Sequence, residues 1–346
     1  MNSAPPGAIN LALGELGFPM PQALKDKAIE LLNSGNPAYT PNAGIPELRQ
    51  AVADRHNAKP QEVLITNGAE EALFITLMSL INPNDTVAIP DPDYTSYTSI
   101  ARICQAKIVR LPFVHCFKEI AWDLWEAAFK QGVKAIVLSA PSNPSGFCFD
   151  QLSASRFAEL CNRYGVIVIV DEIYARLYFK EASVSLQGKV DRLIRIGGLS
   201  KSHALSGWRL GWVLAPEAIT ASFVKARQYV STCSHWLSQF LAVYALSEAG
   251  MLLAEGIRQS LALNRNSILQ RFYAQKPNDV LAIHAPNASP YLLLQVEDDL
   301  LYAAALATKG VITVPGRAFG DSTKGWIRLN YGIDPTQLQQ ALELFY

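Results

Sequence analysis

Hydrophobic positions in the middle of the chain follow two alternating patterns. Short apolar, β-branched runs fall at 63–66, 86–89, 107–111, 134–138, 166–170, 192–196 and 210–214. Between most of them, at 68–80, 94–104, 122–131 and 150–164, apolar residues recur at helical spacing. The run Val166-Ile-Val-Ile-Val170 has no polar face, as a strand covered on both sides of its sheet requires. Strand and helix in alternation predict an α/β fold with a mostly parallel sheet of about seven strands between helices. Upstream, Ile9–Leu13 reads as a possible short strand and 21–33 as a helix with Pro21 in its first turn. A breaker-rich loop over 36–44 and a helix from Pro46 to about His56 follow. After Pro216 the pattern changes. Long helical segments at 217–247 and 250–274 precede strands at 291–296, 311–314 and 326–330 and helices at 298–309 and 335–345. These predict a smaller α+β domain. The expected division is a large domain over 25–248 and a small one built from 1–24 and 249–346, with the helix near 250–274 as connector.

Length and composition narrow the classes. A chain of 346 residues exceeds the size at which single cores tend to split, and half its residues are apolar. Lysine plus arginine equals aspartate plus glutamate, 30 each, so neither nucleic acid nor an acidic membrane surface is an expected partner. Five scattered cysteines without a CxxC pair predict neither a disulfide framework nor a zinc site and fit a reducing cytoplasm. The N-terminus lacks the pattern of a secretory signal, and no apolar run reaches bilayer length. Histidines 56, 115, 203, 235 and 284 have no metal spacing, so no metal is expected.

In a parallel sheet, ligands gather beyond the carboxyl ends of the strands. Five such ends carry polar residues here: Asn67-Gly-Ala-Glu70, Asp91-Pro-Asp-Tyr94, Ser142-Asn-Pro-Ser-Gly146, Asp171-Glu-Ile-Tyr174 and Ser200-Lys201. A lysine in a tight loop between buried strands is costly as an ammonium but apt as a Schiff-base amine of lowered pKa. Arg209, in Gly-Trp-Arg-Leu-Gly, could grip a phosphate in fork geometry. Together they suggest pyridoxal 5'-phosphate (PLP). The helix opened by Gly68-Ala69-Glu70 could bind that phosphate through its N–H groups. Equally, Asn67 and Glu70 could form a plain capping box. Asp171, after a strongly apolar strand, could pair with the pyridine N–H⁺ or cap the next turn. Asn143 and Tyr174 could donate to the ring's phenolic oxygen, and Tyr94 could stack on the ring. Turn chemistry for Asn143 and core packing for the tyrosine stay open. Arg328, in Trp-Ile-Arg-Leu-Asn-Tyr, either clamps a substrate α-carboxylate or faces solvent.

In this order, Tyr39 with Gly44 and Glu47-Leu-Arg49, Asn143-Pro-Ser-Gly146, Asp171-Glu-Ile-Tyr174, Ser200-Lys201 and Gly207-Trp-Arg-Leu-Gly211 resemble the class I and II aminotransferases of PLP fold type I. The resemblance runs from about Leu13 to Tyr331. It implies an aminotransferase that moves an amino group from an L-amino acid to a 2-oxo acid. Lys201 would be the Schiff-base lysine and proton shuttle, and Asp171 the pyridine partner. Tyr174 and Asn143 would be the phenolic-oxygen donors, and Tyr94 the stacking ring. Ala69 and Glu70 (through their backbones), Ser200 and Arg209 would hold the phosphate, and Arg328 the α-carboxylate. Tyr39 would reach the phosphate of a neighbouring subunit, which implies a homodimer. Ser231–Trp236 of the partner and Tyr291 are candidate pocket walls.

Three departures stand out. Gly198 occupies a place where members often carry a hydroxyl. Gly14-Glu-Leu-Gly-Phe18 puts Leu16 and Gly17 in the substrate-side loop, which makes Leu16 a candidate substrate contact. The short N-terminus implies a reduced arm around the partner. Two other readings stay open. One is a different PLP reaction on the same fold, a carbon–sulfur β-lyase, decarboxylase or cyclising synthase. The other is a non-catalytic sensor, which would require a DNA-binding domain upstream.

Overall fold

The computed structural model describes residues 5–35 and 37–346; Met1–Ala4 and Asn36, the first residue of the predicted loop, lie outside them. The chain opens with the two-residue strand β1 (Ile9–Asn10) and helices α1 (Gln22–Ser34) and α2 (Pro46–His56). Pro21 caps α1 from outside its first turn, whereas Pro46 takes the first helical position of α2, where a missing N–H is harmless.

The alternating region follows as β2 (Val63–Thr66), α3 (Ala69–Leu80), β3 (Thr86–Asp91), α4 (Thr95–Ile103), β4 (Lys107–Val114), β5 (Glu119–Ile120), α5 (Trp122–Lys130), β6 (Ala135–Ser139), α6 (Gln151–Tyr164), β7 (Ile167–Asp171), β8 (Leu193–Gly198) and β9 (Gly211–Leu214). Its strands form one sheet in the order β2-β9-β8-β7-β6-β3-β4-β5. The five from β8 to β4 are parallel, β9 is antiparallel to both neighbours, and β5 pairs antiparallel with the edge of β4. All seven predicted strands are present. The eighth, β5, is too short to leave a period in the sequence. The reversal at β9 follows from its connection: residues 199–210 hold only one turn of 3-10 helix, Ser206–Trp208, and no α-helix to carry the chain back for a parallel return. Along β7, Val168 and Val170 pack with Trp125 and Phe157 on one face, and Ile167 and Ile169 with Leu73 and Ile100 on the other. Burial on both faces is why this strand shows no alternation.

The predicted helix over 217–247 is two helices, α7 (Glu217–Gln228) and α8 (Trp236–Ala245), followed by α9 (Glu248–Ala274). The break at 229–235 is held by side chains. Buried Arg227 donates to Ser234 Oγ (2.6 Å) and to Asn42 O, and Ser231 donates to Glu71. The break is thus fixed by contacts to Asn42 and Glu71, far away in the sequence, which no local period records. Helices α8 and α9 meet at 83°. No single helix among the described residues is long and apolar enough to cross a membrane.

The rest comprises β10 (Ala282–His284), β11 (Tyr291–Gln295), α10 (Asp299–Thr308), β12 (Val311–Ile312), β13 (Val314–Pro315), β14 (Trp326–Asn330) and α11 (Pro335–Glu343). An antiparallel sheet runs β10-β11-β14-β13. The predicted strand at 311–314 divides between two partners: β12 pairs in parallel with β1, and β13 pairs with β14. Through β1 the N-terminal segment joins the C-terminal part, and Leu11 packs with Leu261, Leu292 and Leu329.

Candidate active site

A cavity of about 500 Å³ lies beyond the carboxyl ends of the central strands, between the large sheet and the antiparallel one. Ala69, Glu70, Tyr94, Asn143, Asp171, Tyr174, Ser200, Lys201, Arg209 and Arg328 all line it. Two other predicted site residues do not. Leu16 is buried with Leu261, Leu329 and Ile333 and packs against Gly332, because Gly17 N–H bonds Gly332 O (2.7 Å) and turns the leucine inward. Leu16 is a core residue and does not line the cavity, where it was expected. Tyr39 is 88% exposed and stands away from the cavity of its own chain. Of the suggested pocket walls, Tyr291 lines the cavity and 231–236 of the same chain do not.

Lys201 follows β8 and donates from Nζ to Gly14 O. Burial pushes its pKa below the usual lysine value. Glu15 and Asp171 oppose that shift, while Arg209 and Arg328 reinforce it. Asp171, the last residue of β7, is 8% exposed. Desolvation raises its carboxyl to about 6, against the bonds it accepts from Ile173 N–H (3.0 Å) and Tyr97 Oη (3.1 Å). A carboxylate so placed is stabilised by a further cationic donor.

Around Ala69 the backbone is shaped for an anion. Gly68, the N-cap of α3, has φ +87°, and no side chain caps the helix. A Cβ on Gly68 would lie 2.7 Å from Arg209 Nη2, and one on Gly211 would lie 2.6 Å from Ala69 N. Both glycines thus let Arg209 and β9 close upon free N–H groups. The reach-back to Asn67 comes from Glu71 (Oε1 to Nδ2, 3.1 Å), not from Glu70 as in the expected capping box; Glu70 stays exposed at the cavity. Gly198 has its own steric cause: a Cβ there would lie 2.8 Å from Leu210 O.

Arg328 lies in the middle of β14, a strand buried on both faces, so it does not face solvent. Its guanidinium is stacked between Tyr291 (4.1 Å to the ring centre) and Phe319 (4.7 Å). Nη1 donates to Asn143 Oδ1 (3.1 Å), Nη2 donates to Ala12 O (2.5 Å), and Nε has no partner among the described residues. Because Arg328 takes Oδ1, Nδ2 remains as the donor of the Asn143 amide. Tyr174 and Tyr291 share a hydrogen bond between their hydroxyls (2.7 Å).

The chain matches the profile of the family described as aminotransferase class I and II over residues 6–345. The chain belongs to the class I and II aminotransferases. It is 32% identical to a putative aminotransferase, YugH, of Bacillus subtilis, over 97% of this chain and 90% of that protein. It is 29% identical to a probable aspartate aminotransferase of Methanocaldococcus jannaschii, over 99% and 93%. Among solved structures, an aromatic aminotransferase from Pyrococcus horikoshii superposes with a TM-score of 0.91 at 28% identity, covering 98% of this chain and 94% of that one. The architecture is that of fold type I, and the chain is a transaminase.

Within this aminotransferase site the sequence reading missed several residues. Tyr97, in the first turn of α4, is fully buried and reaches Asp171. Asp93, 1% exposed, accepts from Ser139 Oγ (2.6 Å) and from Tyr94 N–H (2.8 Å); the Ser139 hydroxyl oxygen in turn accepts Asn143 N–H (3.0 Å). The segment 12–15 is irregular: the strand expected over Ile9–Leu13 ends at Asn10. Its position comes from β14, where Asn330 Nδ2 bonds Leu13 O (2.8 Å) and Glu15 O (2.6 Å).

Proposed function

We propose that the cavity holds PLP and transfers the amino group of an L-amino acid to a 2-oxo acid, with Lys201 as the reacting amine. The observation that carries this reading is one cavity that joins a lysine of lowered pKa, a buried carboxyl on the neighbouring strand and a buried arginine with a free Nε. The donor set fits the cofactor. Asp171 would receive the pyridine N–H⁺, whose positive charge would offset the burial that raises its pKa. Asn143 Nδ2 and the Tyr174 hydroxyl would donate to the phenolic oxygen, and Tyr94 would cover the ring. The uncapped start of α3 at Ala69 and Glu70, with Ser200 and Arg209, would hold the phosphate. The glycine cradle at 68 and 211 supports that placement, since any side chain there would block it.

When bound, PLP supplies an electron sink that weakens bonds to the substrate Cα. Arg328 would fix the α-carboxylate by a fork, so that Cα–H is the bond presented for cleavage. Lys201 Nζ, already biased toward its neutral form, would take that proton as general base. Exposed Tyr39 would complete the phosphate site of a second copy, in a homodimer with small-molecule substrates.

The test is a single turnover. The PLP-loaded protein is mixed with each amino acid in turn, and products are separated by chromatography. A 2-oxo acid together with pyridoxamine phosphate supports the reading. Pyruvate with ammonia and a thiol, or carbon dioxide, without pyridoxamine phosphate would replace it with a lyase or decarboxylase.

A further inference from the structure

Besides Lys201, five charged side chains line the cavity: Glu15, Glu70, Asp171, Arg209 and Arg328. On the PLP reading, on which this inference rests, three are matched. Arg209 meets the phosphate, Arg328 the α-carboxylate and Asp171 the pyridinium. The two left over are both carboxylates. Glu71 makes the contacts to Asn67, Ser231 and Arg227, which leaves Glu70 exposed at the cavity with no ion pair among the described residues. Glu15 accepts the Ser206 hydroxyl and likewise has no cation on its carboxylate among the described residues. Its position is not loose. Asn330 holds its carbonyl, Asn330 N–H bonds Leu11 O (2.7 Å), and Arg328 holds Ala12 O. Glu15 is therefore fixed to the strand that carries the carboxylate clamp. The charges of both residues are felt inside the site: Glu70 raises the pKa values of Asp171 and Tyr94, and Glu15 raises that of Lys201.

A substrate side chain ending in a carboxylate would enter beside two like charges and find no unassigned cation on the cavity wall. One ending in a cation would find two carboxylate acceptors on the cavity wall. We propose that this site is built for an amino donor whose side chain ends in an amine or guanidinium, the lysine, ornithine and arginine class, received by Glu70 and Glu15.

The experiment is calorimetric titration of the PLP-loaded protein, its cofactor first fixed to the lysine by borohydride reduction, with 6-aminohexanoate, hexanoate and adipate. All three offer Arg328 a carboxylate on a six-carbon chain, cannot exchange with the reduced cofactor, and differ only in their far end. The expected order of affinity is 6-aminohexanoate, then hexanoate, then adipate. Glu70→Gln and Glu15→Gln should each reduce the ratio of the adipate Kd to the 6-aminohexanoate Kd by about fivefold, the size of one half-exposed charge contact. Tightest binding by adipate, or a ratio unchanged in both variants, overturns the proposal. The single-turnover assay keeps the two readings apart. No 2-oxo acid from any amino acid overturns the aminotransferase reading underneath, whereas a protein that transaminates yet binds adipate best overturns the charge preference alone.

Discussion

Replacing Tyr97 with phenylalanine removes one oxygen and the hydrogen bond it donates to Asp171 at 3.1 Å. The ring keeps its place, fully buried and edge-on to Tyr94 at 5.5 Å. Asp171 is then left with the Ile173 N–H alone. A hydrogen bond to a charged acceptor contributes about 1.5–3 kcal/mol, and one pKa unit is about 1.4 kcal/mol, so the Asp171 pKa should climb by about one to two units. Burial already holds it at about 6. The sign follows from the role proposed for it. Only the ionised carboxylate pairs with the pyridinium, so PLP affinity is full above the Asp171 pKa and falls as pH drops through it. In the Tyr97→Phe variant that fall should begin about one unit higher or more. At pH 7 the variant should bind PLP about two- to tenfold more weakly, with the gap closing by about pH 9. Absorbance titration of the cofactor-free proteins with PLP from pH 5 to 9 reads this directly. Superimposable curves for variant and wild type would refute the link between Tyr97, Asp171 and the cofactor.

Two further changes probe other parts of the site. Arg328→Ala should lower kcat/KM for amino acids by about 100-fold or more, the loss for one partner of a buried charge pair, yet leave the slow reaction of a simple amine without a carboxylate unaffected. Equal losses for both would make Arg328 a structural residue. Asp93 is held protonated up to about pH 7, chiefly by burial. Its unfolded value lies near 4, so the folded state binds the extra proton between those limits and wild-type stability falls as pH rises through that window. Asp93→Asn abolishes that contribution. Its stability relative to wild type should therefore increase by about 1.4 kcal/mol per pH unit between 5 and 7 in urea denaturation, and a constant difference would contradict the burial argument.

Much of this architecture is legible in the chain because the large sheet is read twice. Its strands are uniformly apolar where both faces are covered, and each ends in a polar turn where the cavity opens. Asp171, Lys201 and Asn143 could be found because they interrupt such runs. Features set by tertiary contact could not. The antiparallel turn of β9 depends on a connection with no α-helix, and the break after α7 on Arg227 and Glu71, which are distant in sequence. Leu16 went to the core because Gly17 is tied to Gly332, a pairing no local pattern shows. Tyr97 was hidden for a simpler reason. A tyrosine on a helix face reads as packing until its hydroxyl is seen to meet a buried carboxylate.

The central claim is that Lys201, and no other lysine, carries the reacting amine. Borohydride reduction of the PLP-loaded protein fixes the cofactor to whichever amine holds it, and peptide mass spectrometry then locates the added mass. The account predicts that mass on the peptide containing Ser200-Lys201, and its loss in Lys201→Ala. Labelling of a different lysine, or an unlabelled Lys201 in protein that still transaminates, would contradict it.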